Sequence, residues 1–283
     1  MADQPPPDRE FPPAGPSWPL DQWISPTALK NYNRCPHRVR LRYLEKVPEP
    51  KAFSVHLSKG QITHDLLAIS AKRIVKGDGD FSDDWLYENA YRRLPRREFP
   101  SDEARTGHAR NIADWVGWVL RYLDRTAVYL RIEKGDRRDL AWGPAGARVT
   151  LVTRPDLVLL RTNGAGEPFI DFIDYKTGKQ QADNLVPIFM RYALTTYLRT
   201  VVPDTQAIRM QFTWLWLESG EAEVTDLSLE SSLAAWAGLR DNLDRLMAER
   251  EWPAQPSYGC NYCPYHRNAC HAFASVDPGP DGG

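Results

Sequence analysis

Two aspartates and one lysine are spaced so that a β-hairpin would bring their side chains together. Asp156 precedes, and Asp174 follows, the turn-forming run Asn-Gly-Ala-Gly at 163–166. If the turn centres near Ala165, each aspartate lies nine positions from that centre. Antiparallel pairing would then set the two opposite each other, with β-carbons roughly 5 Å apart. Lys176 is two residues past Asp174 and shares its face of the strand.

This group of side chains suits metal-assisted hydrolysis of a phosphodiester. Neighbouring carboxylates repel each other, and an apolar sheet makes that repulsion costly unless a cation lies between them. Oxygen ligands select a hard cation, so we expect Mg²⁺ or Mn²⁺ between Asp156 and Asp174. A lysine beside them can neutralise a phosphate or deprotonate an attacking water. The alternative is an exposed surface hairpin in which Lys176 is a solvated ion-pair partner.

The elements that must carry these residues follow from the apolar pattern and the turn signals. Ser25 followed by Pro26 is a strong helix start, and Pro36 begins a further helical segment. Periodicity predicts helices over 57–76, 108–133, 184–200 and 230–249, a hairpin of strands 148–160 and 168–176, and strands over 206–217 and 221–228. This order favours an α/β fold, in which a mixed central β-sheet is flanked by helices, with further helices at the N-terminus.

Composition and charge fit one large domain with flexible ends. The chain has 283 residues, 42% of them hydrophobic, and a net charge of −1, so no global field attracts it to polyanions. Composition predicts flexible tails over 1–21 and 275–283, which leaves one domain over 22–274. The apolar runs are too short to span a bilayer, and no secretory signal is visible. We therefore expect a cytoplasmic protein with no membrane partner.

The cysteines form a second group that could do chemistry. The chain has four of them: Cys35, Cys260, Cys263 and Cys270. Without an export signal, disulfides are disfavoured. Three cysteines fall in the C-terminal segment 258–272 and one is remote, which fits a four-thiolate iron–sulfur site better than a zinc module of two local pairs. Two alternatives stay open, namely free thiols and a zinc site completed by His37, His266 or His271.

The order of these motifs resembles a known family. Arg-Pro-Asp at 154–156, followed by Asp-Tyr-Lys-Thr-Gly at 174–178, resembles the signature of the PD-(D/E)XK nuclease superfamily, and the second motif resembles its RecB-like branch. The segment 60–64, from Gly60 to His64, is similar to the Gly-x-x-x-His helix motif of that branch. The segment from Ser25 to Cys35-Pro36 is similar to its opening helix. The resemblance implies a restriction-endonuclease-like nuclease core.

The resemblance also implies a role for each matched residue. Asp156, Asp174 and the backbone carbonyl of Tyr175 would bind Mg²⁺ or Mn²⁺. His64 would complete or support that metal site, and Lys176 would act on the attacking water. These five residues are therefore the candidate catalytic and metal-binding group.

One position departs from the family's pattern. The branch has Gln-x-x-x-Tyr on the helix after the catalytic lysine, and Tyr192 matches the tyrosine, whereas Ile188 occupies the glutamine position. A contact that positions DNA is therefore missing or is supplied by another residue. Tyr192 stays a candidate DNA contact, with simple helix packing as the alternative.

The arrangement of one cysteine plus three resembles iron–sulfur nucleases of the RecB-like branch. These include CRISPR-associated adaptation nucleases and RecB-family exonucleases. The resemblance implies a [4Fe–4S] cluster held by Cys35, Cys260, Cys263 and Cys270. Its role would be structural, clamping the domain around DNA. Zn²⁺ remains the alternative metal.

Basic and aromatic residues indicate where nucleic acid could bind. Arg34, Arg38 and Arg42 lie in a helical region rich in positive charge, which suits contacts with phosphates, although a solvated helix face has the same composition. Three tyrosines of the cysteine-rich end could stack on unpaired bases or pack around the cysteines, and we favour packing. They are Tyr258, Tyr262 and Tyr265.

Together the residues and the resemblance predict a divalent-metal-dependent DNA nuclease. We expect an exonuclease that acts on single strands or free DNA ends in recombination, repair, phage DNA processing or spacer adaptation, with protein partners drawn from recombination or adaptation. A catalytically inactive DNA-binding subunit of the same fold is the main alternative. The joint presence of four candidate catalytic residues disfavours it. An iron–sulfur redox protein is a third class, but nothing in the sequence resembles a docking surface for a redox partner.

Overall fold

The computed structural model describes residues 18, 23–49, 55–78, 81–123, 126–142, 147–178, 180, 185–202, 208–266 and 269–270. Residues 1–17 and 275–283, which belong to the expected tails, lie outside the described residues, as does His271. The domain limits at 22 and 274 stay a prediction.

The described residues form a run of helices, then a run of strands, and then a mixture of both. In chain order they are β1 (Trp23–Ile24), α1 (Pro26–Arg34), α2 (Pro36–Val39), α3 (Val55–Val75), α4 (Asp83–Arg93), α5 (Asp102–Tyr122), β2 (Val128–Ile132), β3 (Asp136–Trp142), β4 (Ala147–Thr153), β5 (Leu157–Thr162), β6 (Pro168–Lys176), α6 (Leu185–Val201), β7 (Arg209–Trp216), β8 (Glu221–Asp226) and α7 (Leu229–Ala248). A π-helical turn follows α2 at Arg40–Leu44, and 3₁₀ turns lie at Arg96–Glu98 and Tyr258–Tyr262.

The chain forms two compact units, and each is discontinuous in sequence. The cysteine unit comprises 1–51, 141–149 and 240–283. The sheet unit comprises 52–140 and 150–239. All four cysteines belong to the first unit, and the candidate metal-binding and catalytic residues all belong to the second.

The sheet unit is built on five strands in the order β2–β5–β6–β7–β8. Strands β6 and β7 run parallel, whereas the other three neighbouring pairs are antiparallel, so this sheet is mixed. A further sheet of three strands has the order β1–β4–β3. The prediction of an α/β fold with a mixed sheet flanked by helices is confirmed.

Both faces of the five-stranded sheet are covered, which explains why its central strands are almost continuously apolar. On one face, Ile173 and Tyr175 of β6 join a buried cluster with residues of α3, α4 and α5. On the other face, Ile170 and Phe172 join a second cluster with residues of α6 and β7. Successive residues of β6 therefore alternate between two buried layers. By this alternation, Asp174 faces the layer that contains α6.

The β5–β6 hairpin has the register that the turn predicted. Leu157 pairs with Ile173 and Thr162 pairs with Pro168, so the pairing is centred on Ala165. The Asn163 side chain closes the turn by accepting hydrogen bonds of 2.9 Å from the backbone N–H groups of Ala165 and Glu167. The hydrogen bonds of the turn and the backbone pairing of β5 with β6 thus give the same register.

Two predicted elements are wrong in extent. The helix expected over 108–133 ends at Tyr122, and Val128–Ile132 forms β2. The backbone is already extended at Leu123, and the β-branched residues that follow favour a strand. The strand expected over 148–160 is two strands, because Pro155 lies between them and has no N–H to donate to a ladder.

Helix α4 and strand β3 were not predicted from the sequence. Helix α4 begins where Ser82 accepts a hydrogen bond of 3.2 Å from the Trp85 N–H, a standard helix start. Strand β3, Asp136–Trp142, carries polar residues that hide its alternation. Among the described residues, no helix combines the length and apolar character needed to cross a bilayer.

The first helices of the cysteine unit begin where the sequence indicates. The Ser25 Oγ atom accepts a hydrogen bond of 3.1 Å from the Ala28 N–H, and Pro26 is the first residue of α1. Cys35 ends α1 in an extended conformation, and Pro36 starts α2. Cys35 therefore lies at a junction between two helices.

Long-range contacts in the cysteine unit join these helices to the C-terminal segment. Trp252 is buried, and its ring stands edge-on to Tyr32 at 6.1 Å. Three hydrogen bonds span the same two parts of the chain: Tyr32 Oη to Arg245 O (3.1 Å), His37 N to Pro253 O (3.2 Å) and Tyr265 Oη to Val47 O (3.3 Å). The remote cysteine and the clustered cysteines thus belong to one packed unit.

Candidate active site

The candidate site lies at the open end of the β5–β6 hairpin. Asp156 sits in the break before β5, one position before the pair Leu157–Ile173, so the register places it opposite Asp174. Its Oδ2 atom accepts a hydrogen bond of 2.6 Å from the backbone N–H of Tyr175. Asp156 and Asp174 are only 5% and 6% exposed. The hairpin therefore holds two carboxylates near each other and away from bulk water.

His64 reaches the same place from α3. Its Nδ1 atom lies 3.0 Å from Asp156 Oδ1 and 3.4 Å from Glu133 Oε1. Burial alone would lower the pKa of His64, but the hydrogen bonds and charges of the two carboxylates outweigh it and raise that pKa to about 10. The surroundings of His64 thus strongly favour positive charge.

Glu133 is a site residue that the sequence reasoning missed. It follows β2 directly and has a positive φ of 48°, which is costly for a residue with a side chain. Its backbone N–H donates to the Asp156 carbonyl at 2.8 Å, and Arg154 Nε lies 3.1 Å from its Oε2 atom. The apolar pattern predicts a helix over 108–133, and within a helix the acidic side chain of Glu133 gives no sign of a place in the site.

Three of these side chains could hold one metal ion. A ligand atom from each of His64, Glu133 and Asp156 lies within 4.8 Å of the other two. One imidazole and two carboxylates are a donor set that suits a hard divalent cation such as Mg²⁺ or Mn²⁺. The same residues line a cleft of about 360 Å³, which gives a phosphate group access to them. The residues present fit the metal that the motif implies.

Asp174 lies beside this group and is paired with Lys176. The Lys176 ammonium forms an ion pair with Asp174 and sits 5.0 Å from the centre of the Trp214 ring. Burial and the negative charge of Asp156 raise the pKa of Asp174 to about 6, against the opposing effect of Lys176. Asp174 is not part of the group of three, but it is close enough for the charges of Asp156 and His64 to act on it. Its role as a metal ligand stays a prediction.

Close packing of two motifs explains the glycine of Gly-x-x-x-His. A Cβ atom at Gly60 would lie 3.2 Å from the Thr177 Oγ1 atom, which is tighter than ordinary contact. Gly60 therefore lets α3 approach the end of β6. One helical turn further on, His64 meets Asp156. The glycine, the histidine and the threonine of the two motifs line the same cleft.

The four cysteines are placed in the cysteine unit without disulfides between them. Cys35, Cys260, Cys263 and Cys270 are free thiols, and each is partly buried. The three C-terminal ones lie in a series of tight turns, in which the Cys263 N–H bonds to Cys260 O at 3.0 Å and the Cys270 N–H bonds to Tyr265 O at 3.0 Å. The candidate metal group found among the described residues contains no cysteine, so a cluster or zinc at these four thiols stays a prediction.

The candidate DNA contacts have different surroundings. Arg34 is exposed, whereas Arg42 forms an ion pair of 2.7 Å with Glu49. Arg38 is partly buried and forms no ion pair with any described residue. The Tyr192 ring lies 4.0 Å from the Trp236 ring on α7, so it takes part in helix packing. These residues stay candidates for DNA contacts.

Comparisons with known proteins identify the family of this chain. The family model of the PD-(D/E)XK nuclease superfamily matches residues 23–271, most of the chain. This chain therefore belongs to the PD-(D/E)XK nuclease superfamily, and membership indicates a metal-dependent nuclease. A solved structure titled "Crystal structure of SSO0001" aligns with 89% of this chain and 87% of its own, at 16% identity and a TM-score of 0.37. No curated protein sequence matches the chain.

Proposed function

We propose that the chain is a divalent-metal-dependent DNA exonuclease that acts on single strands or free ends. The observation that carries the proposal is the meeting of His64, Glu133 and Asp156 beside the Asp174–Lys176 pair. His64 comes from a helix, and Glu133 and Asp156 lie next to the ends of two strands, so distant parts of the sequence converge on one cleft.

His64, Glu133 and Asp156 would hold the metal, with Asp174 and the Tyr175 carbonyl as further ligands. Bound Mg²⁺ or Mn²⁺ supplies Lewis acidity at the phosphate and makes a nearby water more acidic. The protein's own contribution is to fix these ligands before substrate arrives. The hydrogen bond from the Tyr175 N–H to Asp156 and the contact of Arg154 with Glu133 serve that purpose.

Lys176 would act on the water and the phosphate. Its side chain is 41% exposed, so it reaches solvent while remaining paired with the buried Asp174. A positive charge held at this position can orient the attacking water or neutralise a non-bridging phosphate oxygen. The expected products carry a 5′-phosphate and a 3′-hydroxyl group, because attack would break the bond to the 3′ oxygen.

One substitution tests the activity. Asp174→Asn removes a charge without changing shape, and we expect Mn²⁺-dependent cleavage of end-labelled DNA to be lost while the circular dichroism spectrum is kept. The matched control is Asp65→Asn, an exposed acid adjacent to His64 that bonds only to Gln61 among the described residues. If wild-type protein binds DNA but never cleaves it, the protein is an inactive DNA-binding subunit instead.

We further propose that the chain belongs to the RecB-like branch and that Cys35, Cys260, Cys263 and Cys270 hold a [4Fe–4S] cluster. The Gly60–Thr177 contact supports the branch assignment, since it joins the two motifs that define the resemblance. The cluster is supported by the packing of the α1–α2 junction with the C-terminal segment, for example the bond from His37 to Pro253. The role of the cluster would be to tie these two parts of the chain together around DNA.

Anaerobic purification tests the cluster. We expect a brown protein with broad visible absorption and about four irons per chain, the content of a [4Fe–4S] cluster. Cys35→Ser should lose the colour and unfold at a lower temperature, whereas a zinc site would give a colourless protein that contains zinc. Recombination, repair, phage DNA processing or spacer adaptation would be the setting of the activity.

A further inference from the structure

Two tyrosines of the cysteine-rich segment are exposed instead of packed around the cysteines. Tyr258 and Tyr262 are 74% and 73% exposed, whereas Tyr265 is 1% exposed. Packing was the expectation for all three, and it is correct for Tyr265 alone. Large aromatic rings left in water cost free energy, so a pair of them at one place indicates a binding surface.

The two exposed rings form a braced pair. They stand at the two ends of the 3₁₀ turn Tyr258–Tyr262, with ring centres 5.7 Å apart and planes at 64°. Their hydroxyl groups are joined by a hydrogen bond of 3.1 Å. Because each hydroxyl is already engaged by the other, the ring faces are what the pair offers to a partner. A nearly preformed pair of exposed aromatic rings suits stacking, since little side-chain entropy is lost on binding.

The charge around the pair favours a polyanion. The segment 252–270 contains no aspartate or glutamate. Tyr265 anchors this segment by its bond to Val47, and its hydroxyl group lies within range of the negative charge of Glu49 and the positive charges of Arg42 and Arg38. The Arg38 Nε atom is buried and has no hydrogen-bond partner among the described residues. Arg42 is paired with Glu49, whereas Arg38 forms no ion pair with a described residue. The same unit thus holds stacking faces and an unpaired cation, a combination that suits single-stranded nucleic acid.

We propose that Tyr258 and Tyr262 form a base-stacking site for unpaired DNA, with Arg38 contacting the phosphate backbone beside it. The proposal rests on the proposed nuclease function and narrows its substrate to DNA with a single-stranded segment. We expect the site to bind unpaired DNA of any base sequence, because every base has a ring face that can stack on a tyrosine. Its occupant is a nucleic-acid strand. A second copy of the chain is a poorer partner, because its own segment 252–270 carries the same rings and the same positive charges.

Equilibrium binding by the full chain tests the site. The background is Asp174→Asn, so that DNA is not consumed, and the probes are a fluorescein-labelled oligothymidine and the same strand annealed to its oligoadenine complement. We expect Tyr258→Ala/Tyr262→Ala to weaken oligothymidine binding roughly ten- to a hundredfold, the loss typical of one stacked base, with a much smaller effect on the duplex. Tyr258→Phe/Tyr262→Phe should restore binding, since the faces remain. Arg38→Met should reduce the salt dependence of binding.

Three results would overturn the site. The first is an unchanged affinity of the double alanine variant for oligothymidine, and the second is an equal loss of its affinity for the duplex. The third is an equal loss of oligothymidine affinity in Trp23→Ala, which removes an exposed aromatic ring elsewhere in the cysteine unit. A change in oligomeric state without a change in affinity would also contradict it. Cleavage by protein with Asp174 intact is measured separately. Wild-type protein that binds oligothymidine through the tyrosines but never cleaves would contradict the nuclease proposal and leave the stacking site standing.

Discussion

The Asp156 carboxylate and the Tyr175 backbone N–H are joined by a hydrogen bond of 2.6 Å. The acceptor lies just outside β5 and the donor lies within β6, one residue after Asp174. A side chain therefore continues the hairpin beyond the last backbone pair, Leu157 with Ile173. Because one Asp156 oxygen is held by β6, the other is left to face His64. The orientation of a candidate metal ligand is thus fixed by the neighbouring strand.

Replacement of Lys176 should strongly reduce cleavage, whereas it should weaken metal binding only at low pH. Lys176→Met deletes the ammonium group, so we expect cleavage to fall roughly a hundredfold or more. Lys176 lowers the pKa of Asp174, which already stands at about 6, so its loss should raise that pKa further. Since a higher pKa requires a higher pH for ionisation, Mn²⁺ binding measured by calorimetry should be weaker at pH 6 and recover at pH 8. Cleavage at the wild-type rate would contradict the role of Lys176.

Glu133 should contribute to metal affinity. Glu133→Gln keeps the shape of the side chain but removes one of two carboxylates that face His64, so Mn²⁺ affinity is expected to fall at least about tenfold. Arg154→Met, which removes only the contact with Glu133, should give a smaller loss. The control is Glu167→Gln, an exposed acid in the hairpin turn. Equal Mn²⁺ affinity in wild type and Glu133→Gln would show that the group binds its metal without this residue.

The ion pair between Arg161 of β5 and Asp171 of β6 should stabilise the folded protein. Asp171 is fully buried, and its oxygens bond to Arg161 at 2.8 Å and to Thr213 at 2.7 Å. Arg161→Met leaves that charge unpaired, so we expect a loss of about 3 kcal/mol in the free energy of unfolding, measured by guanidinium denaturation. Arg161→Met/Asp171→Asn, which removes both charges, should recover part of the loss.

The effect of Arg161→Met should depend on pH. Burial raises the pKa of Asp171 in the folded protein, against the effects of Thr213 and Arg161, and removal of Arg161 would raise it further. An acid whose pKa is higher in the folded state favours folding at low pH, so the loss should be smaller at pH 5 than at pH 8. Arg209→Met is the control, because its ion pair with Asp226 is exposed and contributes little. A loss that does not change with pH would mean that Asp171 stays ionised throughout.

Glu249 should stabilise the cysteine unit in its ionised form. Its Oε1 atom accepts hydrogen bonds of 2.9, 2.9 and 3.1 Å from the N–H groups of Arg250, Glu251 and Trp252. Burial alone would raise the pKa of Glu249, but these backbone bonds and the Tyr32 hydroxyl outweigh it and lower that pKa. Trp252 has a positive φ of 51°, so the loop needs such support.

Glu249→Gln should therefore lower the free energy of unfolding by about 1 kcal/mol at neutral pH. A carboxyl group whose pKa is lower in the folded state stabilises the protein above its ordinary pKa and loses that effect as pH falls. The difference between wild type and variant should accordingly shrink towards about pH 3, below the ordinary pKa of glutamate. The neighbouring exposed residue provides the control, Glu251→Gln, and an equal loss there would contradict the assignment.

The hairpin could be predicted because its signals are local and periodic. Four turn residues set the centre at Ala165, and the strand period of two then fixed which residues face each other. The helix start at Ser25 was equally local, since one side chain meets an N–H three residues on. The roles of Asp156, Asp174 and His64 stay predictions. The hairpin spacing predicts the proximity of the two aspartates, whereas the proximity of His64 is implied only by the resemblance.

Contacts between distant segments could not be predicted. The apolar stripe of α5 gives no sign that the helix stops at Tyr122, and that error concealed the strand end where Glu133 lies. Tyr192 meets Trp236 only because α6 and α7 pack together, which no spacing reveals. The exposure of Tyr258 and Tyr262 depends on which face of a short turn is covered, and this is likewise a property of the whole unit.

The turn at 163–166 lies at the far end of the hairpin from the two aspartates, and its residues are largely exposed. Extra residues inserted there would lengthen a surface loop while the pairs from Thr162 with Pro168 to Leu157 with Ile173 kept their partners. A single residue inserted within β5 would instead reverse the alternation of every side chain beyond it. Relatives of this protein are therefore free to vary in loop length, and a fluorescent reporter grafted at Gly164 would track the protein without disturbing its chemistry.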